Sequence, residues 1–510
     1  MQTHQWLSHV TPDIVTEARG TNLDAYLLAV EGWRRGLELR WSSRKVKKRG
    51  VHAPGRLFTL TNGNKTHTFY KTRGDHCTQQ AVDIGNNKNL TKEWLSERGV
   101  QVPEGKRFLA ENSNDEIINY AADIEYPVVL KPTKGDQGVG VVANIKNEEH
   151  LIQSLKYVRG DLKFSDVLLE KFIEGEEYRI FVVDNKVIAA IKRIPANVVG
   201  DGISTIRSLI AQKNKERKKN PRLYSCLIKI DHEVESFTKM AGFTLDSIPN
   251  KGEQIFLRAN TNVSTGGDSV DVLDELPMEI KNVAIKTLQV MPGLPHAGVD
   301  VIINQNAPIE KAGVVIEINP VPQIGSLVFP MIGQARDVPG AIIDYYFPET
   351  KDKKIYNPNV YFDLKVVLEP LLNKTASEVI VTPPPLEEVV GKKYVVSGDI
   401  KGDGYARWIR KIALEADLFG YIKALKNGNY EIIVGGTEEA ANTFKNKCTK
   451  WKSKNIKVVS EETWKKPIKV GYQILKEPDK TAKQKPAPPK PAPKQKKKLT
   501  WKQKIKILIS

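Results

Sequence analysis

The pattern of apolar and polar positions along the chain predicts alternating strands and helices. Short apolar runs at residues 126–130 and 167–173 have the length of buried strands. Two further runs, at residues 178–183 and 186–191, are separated only by an aspartate and an asparagine, which favours a β-hairpin. Because helical stretches lie between such runs, we predict a mixed α/β unit over residues 106–348.

The segment before this unit, residues 1–105, is predicted to be a smaller α/β region. Its last helix, at residues 89–98, is followed by Gly99, which suits a helix C-cap, and then by Pro103, which stops helices. Inside the larger unit, residues 207–222 are polar and basic, and we expect an exposed helix and loop there.

Three further segments follow the larger unit. Residues 349–390 include three consecutive prolines and are predicted to be a linker. Residues 391–475 have the order strand, helix, strand, strand, helix, strand, which predicts a ferredoxin-like βαββαβ sandwich. Residues 476–510 are rich in Lys, Pro and Ala and bury too little apolar area to fold.

Composition excludes several classes of protein. With 510 residues, 40% of them apolar and 27% charged, the chain can bury cores for two to four domains, unlike a collagen or a disordered chain. There is no run of 18 apolar residues and no secretory pattern at the start, so we expect a cytoplasmic protein without a membrane span. The cysteines Cys77, Cys226 and Cys448 are far apart, which favours a reducing compartment and argues against a zinc site.

The net charge of +18 lies mainly in the tail, because residues 480–510 carry 11 Lys and no acid and the rest of the chain has only +7. No motif for specific nucleic-acid binding accompanies this charge, so we expect no nucleic-acid partner. The tail is interpreted as a solvated extension, with weak contact to an anionic surface or a partner protein as the alternative.

The first candidate site follows the predicted strand that ends at Lys131. Three glycines, Gly135, Gly138 and Gly140, fall within six residues, and Lys134 precedes them. Glycines allow backbone N–H groups to approach a polyphosphate closely, and Lys131 would add a positive charge. The alternative is a flexible turn after a strand.

The second candidate is the segment EKFIEGEEYR at residues 170–179. Its backbone groups suit the edge of an adenine ring, and the carboxylate of Glu177 suits the two ribose hydroxyls. The residues assigned to adenine are Glu170, Lys171, Phe172 and Ile173. The alternative is an ordinary surface turn between strands.

The third candidate is a set of oxygen ligands on predicted strands. Glu317 and Asn319 are two residues apart in a strand, so both side chains lie on one face, and Asp300 lies in another apolar strand. Carboxylate and amide oxygens suit Mg²⁺. The alternative is a solvated strand face.

The fourth candidate is the loop RANTNVSTGG at residues 258–267, together with Lys192 and Arg193. An arginine, amides, hydroxyls and paired glycines suit a reacting, negatively charged group. The substrate-binding candidates in this loop are Asn260, Asn262, Ser264, Thr265, Gly266 and Gly267. The alternative is a polar loop without such a role.

In this order the segments resemble the ATP-grasp superfamily, and most of all the ligase domains of cyanophycin synthetase and of bifunctional glutathione synthetase. The resemblance covers residues 75–335. It is carried by KPTKGDQGVGV, EKFIEGEEYRIFVV, IKRIPANVVGDGISTI, LRANTNVSTGGDSVDV, AGVDVI and VIEINPVP.

The resemblance implies a role for each candidate. Lys88, Lys131 and Lys192 would belong to the ATP site, with residues 134–140 as a mobile loop over the phosphates. Adenine would lie against residues 170–173 and the ribose against Glu177. Two Mg²⁺ ions, or alternatively Mn²⁺, would be held by Asp300, Glu317 and Asn319. Arg193 and Arg258 would be catalytic and stabilise the transferred phosphoryl group and the oxyanion.

The reaction implied is ATP-dependent joining of a carboxylate to an amine through an acyl-phosphate, with release of ADP. Amino acids or peptides are the expected substrates, and relatives of this class commonly form homo-oligomers. The alternatives are a non-catalytic ATP-binding scaffold and a ligase that acts like glutathione synthetase.

Residues 391–475 also resemble acylphosphatase, both in the order of elements and in VSGDIKGDGYARWIRK. That family places a phosphate-binding arginine and an asparagine where this chain has Ala406 and Ala424. The nearest arginine, Arg407, is one position later. We therefore expect a binding or assembly unit, with a phosphatase as the alternative.

Overall fold

The computed structural model describes residues 4–43, 54–133, 139–353, 355, 357–400, 403–452 and 455–475. The predicted loop residues Lys134, Gly135 and Gly138 lie outside these ranges, and so does the basic tail. Among the described residues, no helix combines the length and the apolar character that a membrane crossing requires.

The N-terminal region is built around one helix that is buried on every side. Its elements are strands β1 (His4–Gln5), β2 (Glu38–Ser42), β3 (Leu57–Thr61), β4 (Thr66–Tyr70) and β5 (Arg73–Gly74), and helices α1 (Leu23–Arg34), α2 (Gln79–Gly85) and α3 (Lys88–Ser96). All twelve residues of α1 are buried. The side chain of Asn87 caps α3 by accepting from two backbone N–H groups, and Gly99 follows this helix at φ +69°.

A four-stranded sheet with two helices comes next. It contains β6 (Gly105–Phe108), β7 (Val128–Pro132), β8 (Val142–Ile145) and β9 (Val167–Lys171), with α4 (Asn114–Asp123) and α5 (Glu148–Leu155). The strand order is β6-β9-β7-β8, and the pairs are antiparallel. Ser113 and Glu116 form a capping box that fixes the start of α4.

The central sheet carries the predicted metal ligands Asp300, Glu317 and Asn319. The elements of this region are β10 (Glu176–Val183), β11 (Lys186–Ile194), β12 (Asn197–Val199), α6 (Ile206–Arg217), α7 (His232–Met240), β13 (Gln254–Phe256), β14 (Asp268–Asp271), α8 (Met278–Gln289), β15 (His296–Ile303), α9 (Ile309–Ala312) and β16 (Gly313–Asn319). The sheet order is β14-β11-β10-β15-β16, and every pair is antiparallel. The predicted hairpin is present as β10 and β11, with Asp184 in the turn at φ +51°.

The segment between β11 and β14 forms a small subdomain with its own apolar cluster. The prediction of an exposed basic helix at residues 207–222 is wrong in one respect, because α6 buries Leu209, Ile210 and Arg217. The charge of Arg217 is tolerated inside the fold because Asp268, far away in the sequence, pairs with it at 2.9 Å.

Residues after the central sheet return to the N-terminal region. They form α10 (Gly325–Val328), β17 (Gly333–Gln334), α11 (Val338–Tyr346), β18 (Val360–Tyr361), α12 (Leu364–Leu372) and β19 (Glu378–Ile380). β19 pairs with β2 and extends the sheet β19-β2-β3-β4-β5. The segment that was predicted as a linker therefore contains regular elements, and two of them, α12 and β19, pack on the first region.

The C-terminal unit has the predicted βαββαβ order. Its elements are β20 (Val390–Gly398), α13 (Asp403–Glu415), β21 (Phe419–Ala424), β22 (Tyr430–Gly436), α14 (Glu438–Cys448), β23 (Ile456–Thr463), β24 (Ile468–Lys469) and β25 (Tyr472–Leu475). β24 pairs with β18, and Lys469 Nζ lies 2.6 Å from Asp363 Oδ2. Ala406 is buried, whereas Arg407 is exposed.

Candidate active site

A row of charged side chains crosses the central sheet. Asp300 of β15 lies opposite Arg179 of β10 and opposite Glu317 of β16, so the three side chains share one face. Arg179 donates from Nε and Nη2 to the two oxygens of Asp300 at 2.5 and 2.6 Å. Such a bidentate pair holds both groups in a fixed orientation.

Arg193 of β11 joins this row to the strand next to it. Its Nη1 donates to Glu177 Oε1 at 2.5 Å and to Asp300 Oδ2 at 3.2 Å. The other oxygen of Glu177 accepts from Thr261 Oγ1 at 2.5 Å. The network therefore connects the central sheet with the loop at residues 258–267.

The two carboxylates of the row differ in protonation behaviour. Burial works to raise the pKa of Asp300, but the charges of Arg179 and Arg193 outweigh it and hold this pKa below its ordinary value. Burial and the charge of Asp300 raise the pKa of Glu317, although Lys88, Arg179 and Lys131 act against them. The region around Glu317 therefore favours an added positive charge.

Asn319 completes a set of oxygen donors. It lies two residues after Glu317 on β16 and opposite Gly298, so it shares the face of the two carboxylates. Its Nδ2 is buried without a hydrogen-bond partner. Two carboxylates, one of them with a raised pKa, and the amide oxygen of Asn319 fit a divalent cation such as Mg²⁺.

A second cluster joins β7, β9 and α3. The buried carboxylate of Glu170 forms an ion pair with Lys131 Nζ, and Lys92 Nζ lies 3.7 Å from its other oxygen. Burial lowers the pKa of Lys92, and its Nζ is buried without a hydrogen-bond partner. Lys92 was not among the predicted residues, although it lies four positions after Lys88 and thus on the same side of α3.

The lysine cluster and the acidic row are close enough to interact. The charges of Lys88 and Lys131 both act on the pKa of Glu317. Lys131 therefore contributes to both clusters.

The predicted adenine segment is anchored by its own contacts. Lys171 Nζ donates to the carbonyl groups of Ile124 and Glu125, both at 3.0 Å, and the N–H of Phe172 donates to Pro127 O at 3.0 Å. Phe172 and Ile173 are half-buried. These bonds fix the chain at the end of β9.

Two predicted basic residues have partners outside the acidic row. Lys192 Nζ lies 2.5 Å from Glu176 Oε1. Arg258 forms ion pairs with Asp231 at 2.5 Å and with Glu233, both at the start of α7. Of the two arginines predicted to be catalytic, the structure brings Arg193 into the row and attaches Arg258 to the subdomain.

The loop at residues 258–267 is shaped by side-chain bonds and by glycine. Asn260 Oδ1 accepts from Thr265 Oγ1 at 2.7 Å, whereas Ser264 is exposed. Gly266 has φ +108°, and a Cβ on Gly267 would lie 2.8 Å from Thr261 O. Larger residues at these two positions would displace the loop.

Gly140, at the end of the predicted phosphate loop, also depends on being glycine. It has φ +76°, and a Cβ there would lie 2.9 Å from Pro132 Cγ. The chain therefore turns closely over Pro132, the last residue of β7, which directly follows Lys131.

Family models match two parts of the chain. Residues 85–208 match the RimK-like ATP-grasp domain, and residues 392–474 match acylphosphatase. The protein therefore carries an ATP-grasp domain, which includes Lys131 and Glu170, followed by an acylphosphatase-like domain. Both resemblances that the sequence motifs indicated are confirmed.

Individual relatives agree with this assignment. The chain is 34% identical to cyanophycin synthetase of Trichormus variabilis over 303 residues, covering 59% of this chain and 33% of that protein. It is 31% identical to the glutathione biosynthesis bifunctional protein GshAB of Clostridium perfringens over 333 residues, covering 64% of this chain and 41% of that protein. The chain thus spans between a third and two fifths of the length of these relatives.

A solved structure is also similar. The bifunctional glutathione synthetase from Pasteurella multocida shares 30% identity and a TM-score of 0.45, covering 58% of this chain and 40% of that one.

Proposed function

We propose that this protein is an ATP-dependent carboxylate–amine ligase that forms an amide or peptide bond between amino acids or peptides and releases ADP and phosphate. The observation that carries the proposal is the row of Arg179, Asp300 and Glu317 with Arg193 beside it, in which Asp300 is buried. A protein that only bound nucleotide would have no need of two opposed carboxylates, one of them held by two arginines.

The lysine cluster supports a nucleotide site next to that row. Glu170 forms ion pairs with both Lys131 and Lys92, and Lys131 also acts on Glu317. In the proposed complex Lys88 and Lys131 bind phosphate oxygens, and the strand end at residues 170–173 faces adenine, with Glu177 on the ribose.

The acidic row supports binding of Mg²⁺ by Asp300, Glu317 and Asn319. Bound there, Mg²⁺ offsets the charge of the phosphate oxygens. We propose two such ions, for which Mn²⁺ can substitute. Arg193 then stabilises the charge that develops on the transferred phosphoryl group, and Arg179 keeps Asp300 ionised and oriented.

The chemistry requires activation of the donor carboxylate, because a carboxylate is a poor electrophile at neutral pH. Transfer of the γ-phosphoryl group to it gives an acyl-phosphate, and attack by the amine then forms the amide and releases phosphate. The loop at residues 258–267 lies beside Glu177 through Thr261 and is proposed to position the donor.

The acylphosphatase-like unit is proposed to bind or assemble rather than to hydrolyse acyl-phosphates. Alanines stand at both positions where that family has its arginine and asparagine, and Ala406 is buried while Arg407 is exposed. Hydrolysis of a small acyl-phosphate by the full chain, abolished by removal of residues 391–475, would contradict this assignment.

The test is release of ADP from Mg-ATP by the full chain across a panel of amino acids and short peptides, singly and in pairs. We expect release that requires a specific pair and is lost in Glu317→Ala. Glu310→Ala, an exposed acid nearby on α9, is the matched control and should keep full activity. ATP binding without turnover on any pair would instead support the scaffold alternative.

A further inference from the structure

We propose that His67, Asp75 and His76 form a binding site for one first-row transition-metal ion of the zinc class. One ring nitrogen of each histidine and one carboxylate oxygen of Asp75 lie within 4.8 Å of one another. The site lies in the N-terminal region and is separate in sequence from the Asp300, Glu317 and Asn319 set.

The backbone brings the two histidines together. β4 and β5 form a hairpin in which Phe69 lies opposite Gly74 and Tyr70 opposite Arg73. β5 ends at Gly74, and the turn that follows it carries Asp75 and His76. The rings of His67 and His76 are in contact, with centroids 4.7 Å apart. The hairpin and the turn after it therefore place the two histidines together.

Asp75 is fixed beside the histidines by its backbone surroundings. Its Oδ2 accepts from the N–H of Thr68 at 2.9 Å, and its Oδ1 lies 2.9 Å from His67 Nδ1. The first bond comes from the neighbouring strand, so the carboxylate is held with Oδ1 directed at the cluster. A carboxylate next to a histidine both ligates metals and orients the imidazole.

A buried hydroxyl next to the cluster is an independent indication of a missing partner. Tyr346 is 2% exposed, its hydroxyl has no hydrogen-bond acceptor, and its ring contacts both His67 and His76. The hydroxyl lies against the turn at Gly74, where a Cβ would be 2.3 Å away. A buried O–H donor without an acceptor is costly, which indicates a partner that the protein itself does not supply.

The donor set decides the class of metal. Two imidazoles and one carboxylate suit Zn²⁺ and related ions, whereas Mg²⁺ and Ca²⁺ prefer oxygen ligands only. Zinc bonds of about 2.0–2.1 Å require donors closer than they are here. His76 is exposed, so its ring can rotate toward His67 and Asp75. The wide spacing of the cysteines argues against a cysteine-based zinc site only, not against one built on histidines.

The test is titration of the chelator-treated full chain with Co²⁺, whose visible absorption reports the ligand geometry, followed by displacement with Zn²⁺. We expect one ion per chain with the absorption of four-coordinate Co²⁺. His76→Gln and Asp75→Asn should each weaken binding by more than the roughly 10–100-fold typical of an outer-shell change.

Matched controls separate this site from others. His232→Gln removes an exposed histidine elsewhere, Cys77→Ser removes the adjacent thiol, and Glu317→Gln alters the proposed magnesium site. All three should keep the four-coordinate Co²⁺ absorption of the unmodified chain. Absence of stoichiometric binding, or binding unchanged in His76→Gln and Asp75→Asn, would overturn the proposal and leave a simple hydrogen bond between His67 and Asp75.

Discussion

The titration of His296 gives a quantitative test of the packing. This histidine starts β15, is 1% exposed, and neither of its ring nitrogens has a hydrogen-bond partner. Its ring stacks on Phe181 and contacts Tyr346. Burial lowers its pKa from 6.5 to about 4, so the imidazole is neutral in the folded protein near neutral pH.

The sign of the effect follows from proton linkage. Between its ordinary pKa of 6.5 and its folded pKa of about 4, His296 binds a proton in the unfolded chain but not in the folded one. The folded protein therefore has its full stability above the ordinary pKa of His296, and its free energy of unfolding decreases as the pH falls below that value. The loss over this window is about 3 kcal/mol.

The perturbation is His296→Leu, which has a similar volume and breaks no hydrogen bond. Near neutral pH its stability should be close to that of the wild type, because removing an unsatisfied polar group from a core is neutral or stabilising. As the pH falls, the wild type should lose more stability than the variant, by roughly 6–12 °C in thermal midpoint. His232→Leu, at an exposed histidine, is the control and should follow the wild type. Parallel pH curves for His296→Leu and wild type would refute the reasoning.

Three further predictions concern the buried charges. Asp268→Ala should cost about 3–5 kcal/mol, because it leaves the buried Arg217 and the half-buried Lys213 without their shared counter-charge. Adding Arg217→Met and Lys213→Met should restore most of the thermal midpoint, and no recovery would count against the pairing. Glu317→Gln should abolish ADP release. In the absence of metal it should also raise the thermal midpoint once the pH exceeds the raised pKa of Glu317, because it removes the repulsion between Glu317 and Asp300. A lower midpoint would be evidence against that repulsion. Lys92→Met should raise the KM for ATP about tenfold with little change in kcat, because a charge near the nucleotide is lost. Lys411→Met, at a lysine whose side chain is 72% exposed, is the control. An equal effect of the two variants would contradict a role of Lys92 in ATP binding.

The part of the candidate site that lies within one strand was predictable from the sequence. Glu317 and Asn319 are two residues apart in one strand, which alone places them on one face. That Asp300 lies opposite Glu317 depends on the register of β15 and β16, which shifts immediately after Asp300. No pattern within either strand encodes that shift, so the sequence could suggest the three ligands but not their contact.

Residues whose partners lie far away in the sequence were missed. Arg179 pairs with Asp300, 121 positions later, and Lys92 approaches Glu170 from a separate helix. Arg258 was predicted to be catalytic, but its ion pairs with Asp231 and Glu233, which depend on how the subdomain folds back, were not. Such pairings are set by tertiary structure, which the local pattern of apolar and polar residues does not encode.

The same limit affected the fold. Prolines at residues 383–385 suggested a linker, but β19 gains its stability by pairing with β2, more than 300 residues earlier. The order of elements in the βαββαβ unit was predictable because each element has clear periodicity, whereas the pairing of β20 with β22 and β23 is set by the fold.

Interception of the acyl-phosphate tests the proposed activity most directly. The full chain would be incubated with Mg-ATP, a candidate donor carboxylate and hydroxylamine in place of the acceptor amine. We predict a hydroxamate of the donor together with an equal amount of ADP, and neither product in Glu317→Ala. A hydroxamate accompanied by AMP and pyrophosphate would contradict the proposed phosphoryl transfer. ADP without hydroxamate, for every donor that stimulates its release, would contradict activation of a carboxylate.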